Sequence, residues 1–130
     1  MSPSLDAGEL HQRAEEARGL AYAPYSGFTV GAALLSESGV VVCAANVENA
    51  SYGLSICAER SAVVRAVAEG HLRFRALAIA ASAATCPPCG ACRQVLDEFA
   101  MEGMTVTFPR EGGLATVPLE RLLPVAFRLT

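Results

Sequence analysis

The chain has 130 residues, 52% hydrophobic and 18% charged, with a net charge of −3. Its length suits a single domain spanning residues 1–130, and its ten basic residues are all scattered arginines, so no basic stripe is available to neutralise a nucleic-acid backbone. No apolar run is long enough to cross a bilayer, and Met1 to Leu20, with Asp6, Glu9, Glu15 and Glu16, lacks the apolar core of a secretory leader, so a soluble, cytoplasmic protein is expected.

Leu5 to Leu20 is predicted to be an amphipathic helix, with Leu10, Ala14, Ala17 and Ala21 at helical spacing. Ser4 or Asp6 is its expected cap. Ala23-Pro24-Tyr25-Ser26-Gly27 breaks the chain. Phe28–Leu35 and Val40–Val47 are then predicted strands, joined by the turn Ser36-Glu37-Ser38-Gly39 into a hairpin. A polar loop, Asn46–Gly53, leads to a second helix over Cys57–Glu69, with Gly70 as its stop. Phe74–Ser82 is a predicted buried strand, and Cys86–Cys89 is a loop stiffened by Pro87 and Pro88. A third helix is expected over Gly90–Met101, ending near Gly103. Strands at Met104–Phe108 and Leu114–Val117 flank a turn at Glu111–Gly113, and a short helix over Leu119–Leu123 ends at Pro124. The order is α-β-β-α-β-α-β-β-α. The run from Cys57 to Met101 predicts right-handed crossovers between neighbouring parallel strands. The expected fold is therefore α/β, a three-layer α/β/α sandwich around a mixed five-stranded sheet. The alanine- and valine-rich apolar surplus is read as a subunit interface, since large apolar patches are uncommon on monomers.

Five cysteines is an odd count, which argues against a closed disulfide framework. Cys43 lies in an apolar stretch and reads as an inert core residue. Cys57, in Cys57-Ala58-Glu59-Arg60, and Cys89 and Cys92, in Pro88-Cys89-Gly90-Ala91-Cys92, both fall at predicted helix starts. Those starts lie at one edge of the sheet, where a partial positive charge favours thiolates. Three thiolates can hold a zinc ion and leave its fourth corner open, as catalytic rather than structural sites do. Glu59 points about half a turn round from Cys57, awkward for a ligand but suited to a base beside a metal-activated water. Three thiolates and Zn²⁺ sum to −1, and Arg60 is placed to hydrogen-bond sulfur and withdraw charge. The competing arrangement is a structural four-cysteine site that includes Cys86. It must bend the Pro87-Pro88 loop and leaves Glu59 without a role. His11 and His71 read as surface residues.

At these residues the chain resembles a cytidine deaminase of the small, homotetrameric, zinc-dependent type. The likeness covers nearly the whole chain. It runs through Tyr22–Ser26, Phe28–Leu34, Asn46–Tyr52, Cys57–Arg60, Cys89–Gln94 and Leu122–Phe127. The resemblance implies one Zn²⁺ per chain and hydrolysis of cytidine and deoxycytidine by a zinc-bound hydroxide, with Glu59 shuttling the proton, as in pyrimidine salvage. It implies that Asn46 and Glu48 hold the ribose hydroxyls and that Phe28 packs on the pyrimidine. It further implies that the Ala58 N–H and the Glu59 carboxyl meet the ring, and that Tyr52 lies near the site. Phe127 is implied to reach a neighbouring subunit's site in a homotetramer. The alternative for the two phenylalanines is a place in the core, and for Asn46 and Glu48 a capped turn. Rival activities are an antibiotic-nucleoside deaminase, a polynucleotide-editing deaminase, and a zinc-stabilised binding module in which Glu59 only supplies charge to a helix start.

Overall fold

The computed structural model describes residues 5–129. Asp6 is the cap of the first helix, α1 (Ala7–Ala17): its carboxylate accepts from the Glu9 amide at 2.8 Å, and Glu9 reaches back to the Asp6 amide. The alternative cap, Ser4, lies outside the described residues. α1 is shorter than its sequence pattern because its last turn tightens into a 3-10 turn, Arg18–Leu20.

Five strands follow: β1 (Val30–Ser36), β2 (Val41–Ala45), β3 (Phe74–Ala81), β4 (Ala100–Arg110) and β5 (Gly113–Pro118). Their order across the sheet is β2-β1-β3-β4-β5. Only β3 and β4 pair in parallel; the other three pairings are antiparallel, so the sheet is mixed as expected. Helices α2 (Ala58–Ala68), α3 (Gly90–Phe99) and α4 (Leu119–Leu122) complete the chain.

Two expectations need correction. The α2 connection does not join neighbouring strands, because β1 lies between β2 and β3. Only β3-α3-β4 links parallel neighbours. And β4 begins at Ala100 directly after α3, which ends at Phe99 and not at Met101, so the strand starts four residues before Met104. Its pairing with β3 jumps from Phe74↔Ala100 to Ala76↔Thr105. Gly103, at φ 80°, sits inside that irregularity, where a left-handed residue lets the strand bulge instead of ending.

β1 is buried along its whole length, as a central strand covered on both faces must be. On one face Ala32, Leu34, Leu77, Ile79 and Val106 pack with Ala62, Val63, Ala66 and Leu96 of α2 and α3. On the other, Ala33, Leu35, Ala78 and Ala80 meet Leu10 and Ala14 of α1. Much of the alanine excess is spent here, because a face of small side chains lets a helix lie close to the sheet. Gly31 marks the tightest approach: a Cβ there would sit 2.0 Å from the Ala14 carbonyl oxygen and 2.8 Å from the Arg18 nitrogen, both backbone atoms. Among the described residues no helix is long and apolar enough to cross a membrane.

Gly31→Ala is expected to cost at least about 2 kcal/mol, since overpacking against backbone cannot relax by a rotamer change. Denaturant titration measures it, and a loss under about 0.5 kcal/mol would show that α1 can lift off freely.

Candidate active site

Cys57 and Cys89 are the residues that cap α2 and α3, both in extended conformation, and neither thiol bonds to its own helix amides. Both sulfurs are therefore free to point away from their helices. Cys92 follows one turn into α3 and is fully buried. The three sulfurs lie within 4.8 Å of one another, with Cys89 and Cys92 at 3.3 Å. Sulfurs around a tetrahedral zinc with bonds of roughly 2.3 Å sit about 3.8 Å apart. The observed spacing brackets that value, so the donor set fits zinc. Among the described residues this is the only group of three metal-binding side chains so placed. Cys86 is outside it.

The Arg60 guanidinium lies 3.6 Å from the Cys57 sulfur, as expected from its position one turn along α2. The Cys92 thiol and then Arg60 push the Cys57 thiol down to about 5, against the opposing effect of burial. The same hydrogen bond, helped by burial, pushes Cys92 up. Cys57 thus ionises more readily than Cys92, and a bound cation would displace the Cys92 proton. Glu59 is 5% exposed. Burial, and then the nearby Cys57, raise its carboxyl above the usual range, so it holds a proton more tightly than an exposed glutamate.

In front of the sulfurs opens a cavity of about 550 Å³. Cys57, Ala58, Glu59 and Cys89 form its floor, and Phe28, Asn46, Glu48 and Tyr52 its walls. These eight residues, which the sequence singled out separately, line one cavity. Phe28 is 39% exposed and so is not an ordinary core residue. Cys92 and Arg60 stand behind the floor. Phe127 does not line its own chain's cavity. It is 71% exposed, on a tail whose backbone is held by Gln94: the Gln94 amide accepts from the Phe127 N–H at 3.0 Å and donates to its carbonyl at 2.9 Å.

Asn46 and Glu48 do more than face a ligand. The Asn46 side chain accepts from the Val30 N–H and donates to the Phe28 carbonyl, both at 2.9 Å, bracketing the entry to β1. That is why β1 starts at Val30 rather than Phe28. Glu48 accepts from the Tyr25 and Ser26 amides at 2.9 and 3.2 Å and from the Ser26 hydroxyl. The Ser26 hydroxyl first, then the two amides, hold its carboxyl below the usual range, while partial burial opposes them. The Ser26 oxygen also accepts from the Phe28 N–H. The sequence marked Tyr25 and Ser26 as a chain break and as part of the family likeness without giving them a place in the site, yet both line the cavity, and Tyr25 packs edge-on against Tyr52. The Pro-Tyr-Ser-Gly composition signalled a turn but not which carboxylate would tie it down. Cys86 and Pro87 also lie in the wall, and burial raises the Cys86 thiol.

A three-thiol centre backed by an arginine, with a buried carboxyl at the floor of an open pocket, defines a zinc-dependent hydrolase. The sequence model described as "Cytidine and deoxycytidylate deaminase zinc-binding region" matches residues 6–108, and the chain belongs to that family. It is 45% identical over 125 residues to a cytidine deaminase of Halalkalibacterium halodurans, covering 95% of each chain. It is 41% identical over 128 residues to one of Mycobacterium tuberculosis, covering 98% of this chain and 93% of that one. Its fold superposes on the crystal structure of a cytidine deaminase from Burkholderia pseudomallei with a TM-score of 0.88 at 42% identity, over 95% of this chain and all of that one.

Elemental analysis of purified variants tests the ligand set. Cys86→Ser is expected to keep one zinc per chain, and Cys92→Ala to lose most of it. Equal loss in both would restore the four-cysteine arrangement.

Proposed function

We propose that this chain, as one domain, hydrolyses cytidine and deoxycytidine to uridine and deoxyuridine with release of ammonia. The observation that carries this is the buried Glu59 carboxyl beside three convergent thiols on the floor of a nucleoside-sized cavity. Cys57, Cys89 and Cys92 would hold the zinc, and Arg60 offsets their charge through Cys57. Bound there, zinc supplies a Lewis acid that makes water a nucleophile near neutral pH. Glu59 takes a proton from the attacking water and gives it to the ring nitrogen N3. It then carries the second proton to the amine, which leaves as ammonia. Phe28 packs on the pyrimidine, and the Ala58 N–H, at the start of α2, meets its carbonyl.

Asn46 and Glu48 retain capacity for the sugar. A carboxylate has about four acceptor positions, and the chain itself fills three on Glu48. The Asn46 amide has one further N–H. The Asn46 oxygen, which accepts once from Val30, keeps a second lone pair, so together they offer two acceptors and one donor, which suits sugar hydroxyls and penalises a free base. None of the arginines lines the cavity, while Glu48, Glu59 and thiols do. A 5′-phosphate would enter a site of its own sign, which favours nucleosides over nucleotides.

The exposed Phe127 and its neighbours Val125 and Leu129 support a homotetramer in which Phe127 completes another subunit's site. Free thiols suit a reducing, cytoplasmic setting.

Ammonia release from cytidine, deoxycytidine, CMP and single-stranded DNA tests the activity. Turnover of the two nucleosides alone is expected, and failure on both ends the proposal. Glu59→Gln should retain zinc and lose roughly 10²–10⁴-fold in kcat. Phe127→Ala should raise KM with little change in kcat, and an unchanged KM removes Phe127 from the site.

A further inference from the structure

We propose that Arg93 is a positioning residue for the metal centre, tying the loop that delivers Cys89 to the C-terminal segment of the chain. The inference rests on reading Cys57, Cys89 and Cys92 as zinc ligands. Arg93 lies in the first turn of α3, just past Cys92. Its Nε donates to the Pro88 carbonyl at 2.8 Å and its Nη1 to the Leu122 carbonyl at 2.9 Å. Its backbone N–H donates to the Cys89 carbonyl at 3.0 Å. One residue thus grips the carbonyls of the ligand and of the residue before it.

The loop needs such a grip. Pro87 and Pro88 have no N–H, so neither can donate a hydrogen bond of its own. At its upstream end the loop is held by the Cys86 N–H on the Pro109 carbonyl and by the Glu111 N–H on the Thr85 hydroxyl. At its downstream end Arg93 holds Pro88, which is fully buried, so its carbonyl must find a partner inside the protein. Leu122 is the last residue of α4, where carbonyls run out of helical partners. A planar guanidinium can serve both carbonyls at once, whereas an ammonium is a point donor without that fork. The next turns of α3 continue the clasp: Gln94 holds Phe127, and Asp97 pairs with Arg128 at 2.8 and 3.0 Å. Of these contacts, only the Arg93 one reaches the ligand loop.

Zinc transfer to a chromophoric chelator, from intact protein below its unfolding transition, tests the role. Arg93→Ala is expected to release zinc about tenfold faster or more, the usual effect of removing a group that orients a ligand. It should also shift the thiolate-to-metal charge-transfer band of the cobalt-substituted protein. Arg93→Lys should release at an intermediate rate and carries the test if Arg93→Ala does not fold. Asp97→Asn loosens the same tail without touching the loop. It should lower the melting temperature and leave zinc release unchanged. Release within about twofold of the parent in a folded Arg93 variant overturns the inference, as does equal acceleration by Asp97→Asn. An unaltered protein that takes up no zinc overturns the metal-site reading and this inference with it.

Discussion

Everything in this molecule depends on two helices that begin on a cysteine and meet. Cys57 and Cys89 occupy equivalent positions at the starts of α2 and α3, in nearly the same backbone conformation. A helix start is where unpaired amides concentrate positive charge. Two such starts, with Arg60 beside them, make a place where several thiolates can coexist. The sheet exists to bring these starts together. β2 and β3 run in the same direction on either side of β1, so the connections leaving them emerge at one edge.

Much of this was legible in the sequence. The cysteine spacing, the helix-strand-helix run between the two segments and the turn residues located the metal site and its carboxyl. Phe28, Asn46, Glu48 and Tyr52, which the family resemblance named, line one cavity. What periodicity missed was long-range. Nothing local says that β1 separates β2 from β3, since strand order is decided by packing on both faces. The early start of β4 was hidden because Ala100 and Met101 continue the helical pattern of α3 and Gly103 reads as its stop, whereas these residues pair and bulge within the strand. Asn46 looked like a ligand-facing amide. Its two bonds to Phe28 and Val30 depend on contacts that a single sequence does not display. Arg93, although part of the family likeness, was given no role for the same reason: both its side-chain partners are backbone carbonyls, which leave no mark on residue identity.

Composition divides along the same line. The alanine-rich α1 face is inert scaffolding, packed so closely that Gly31 has no room for a Cβ. The chemistry lies on the opposite side, at the starts of α2 and α3. That separation lets one side be tuned by polar contacts while the other is fixed by steric fit.

The Ser26-Glu48-Asn46 network has a thermodynamic consequence. Its side chains are ordered by the chain's own amides and hydroxyls before any ligand arrives. The rotamer entropy of a glutamate and an asparagine is therefore lost when the protein folds, not when it binds. A ligand entering this pocket meets walls already in their working geometry, and more of its contact energy remains as affinity and alignment.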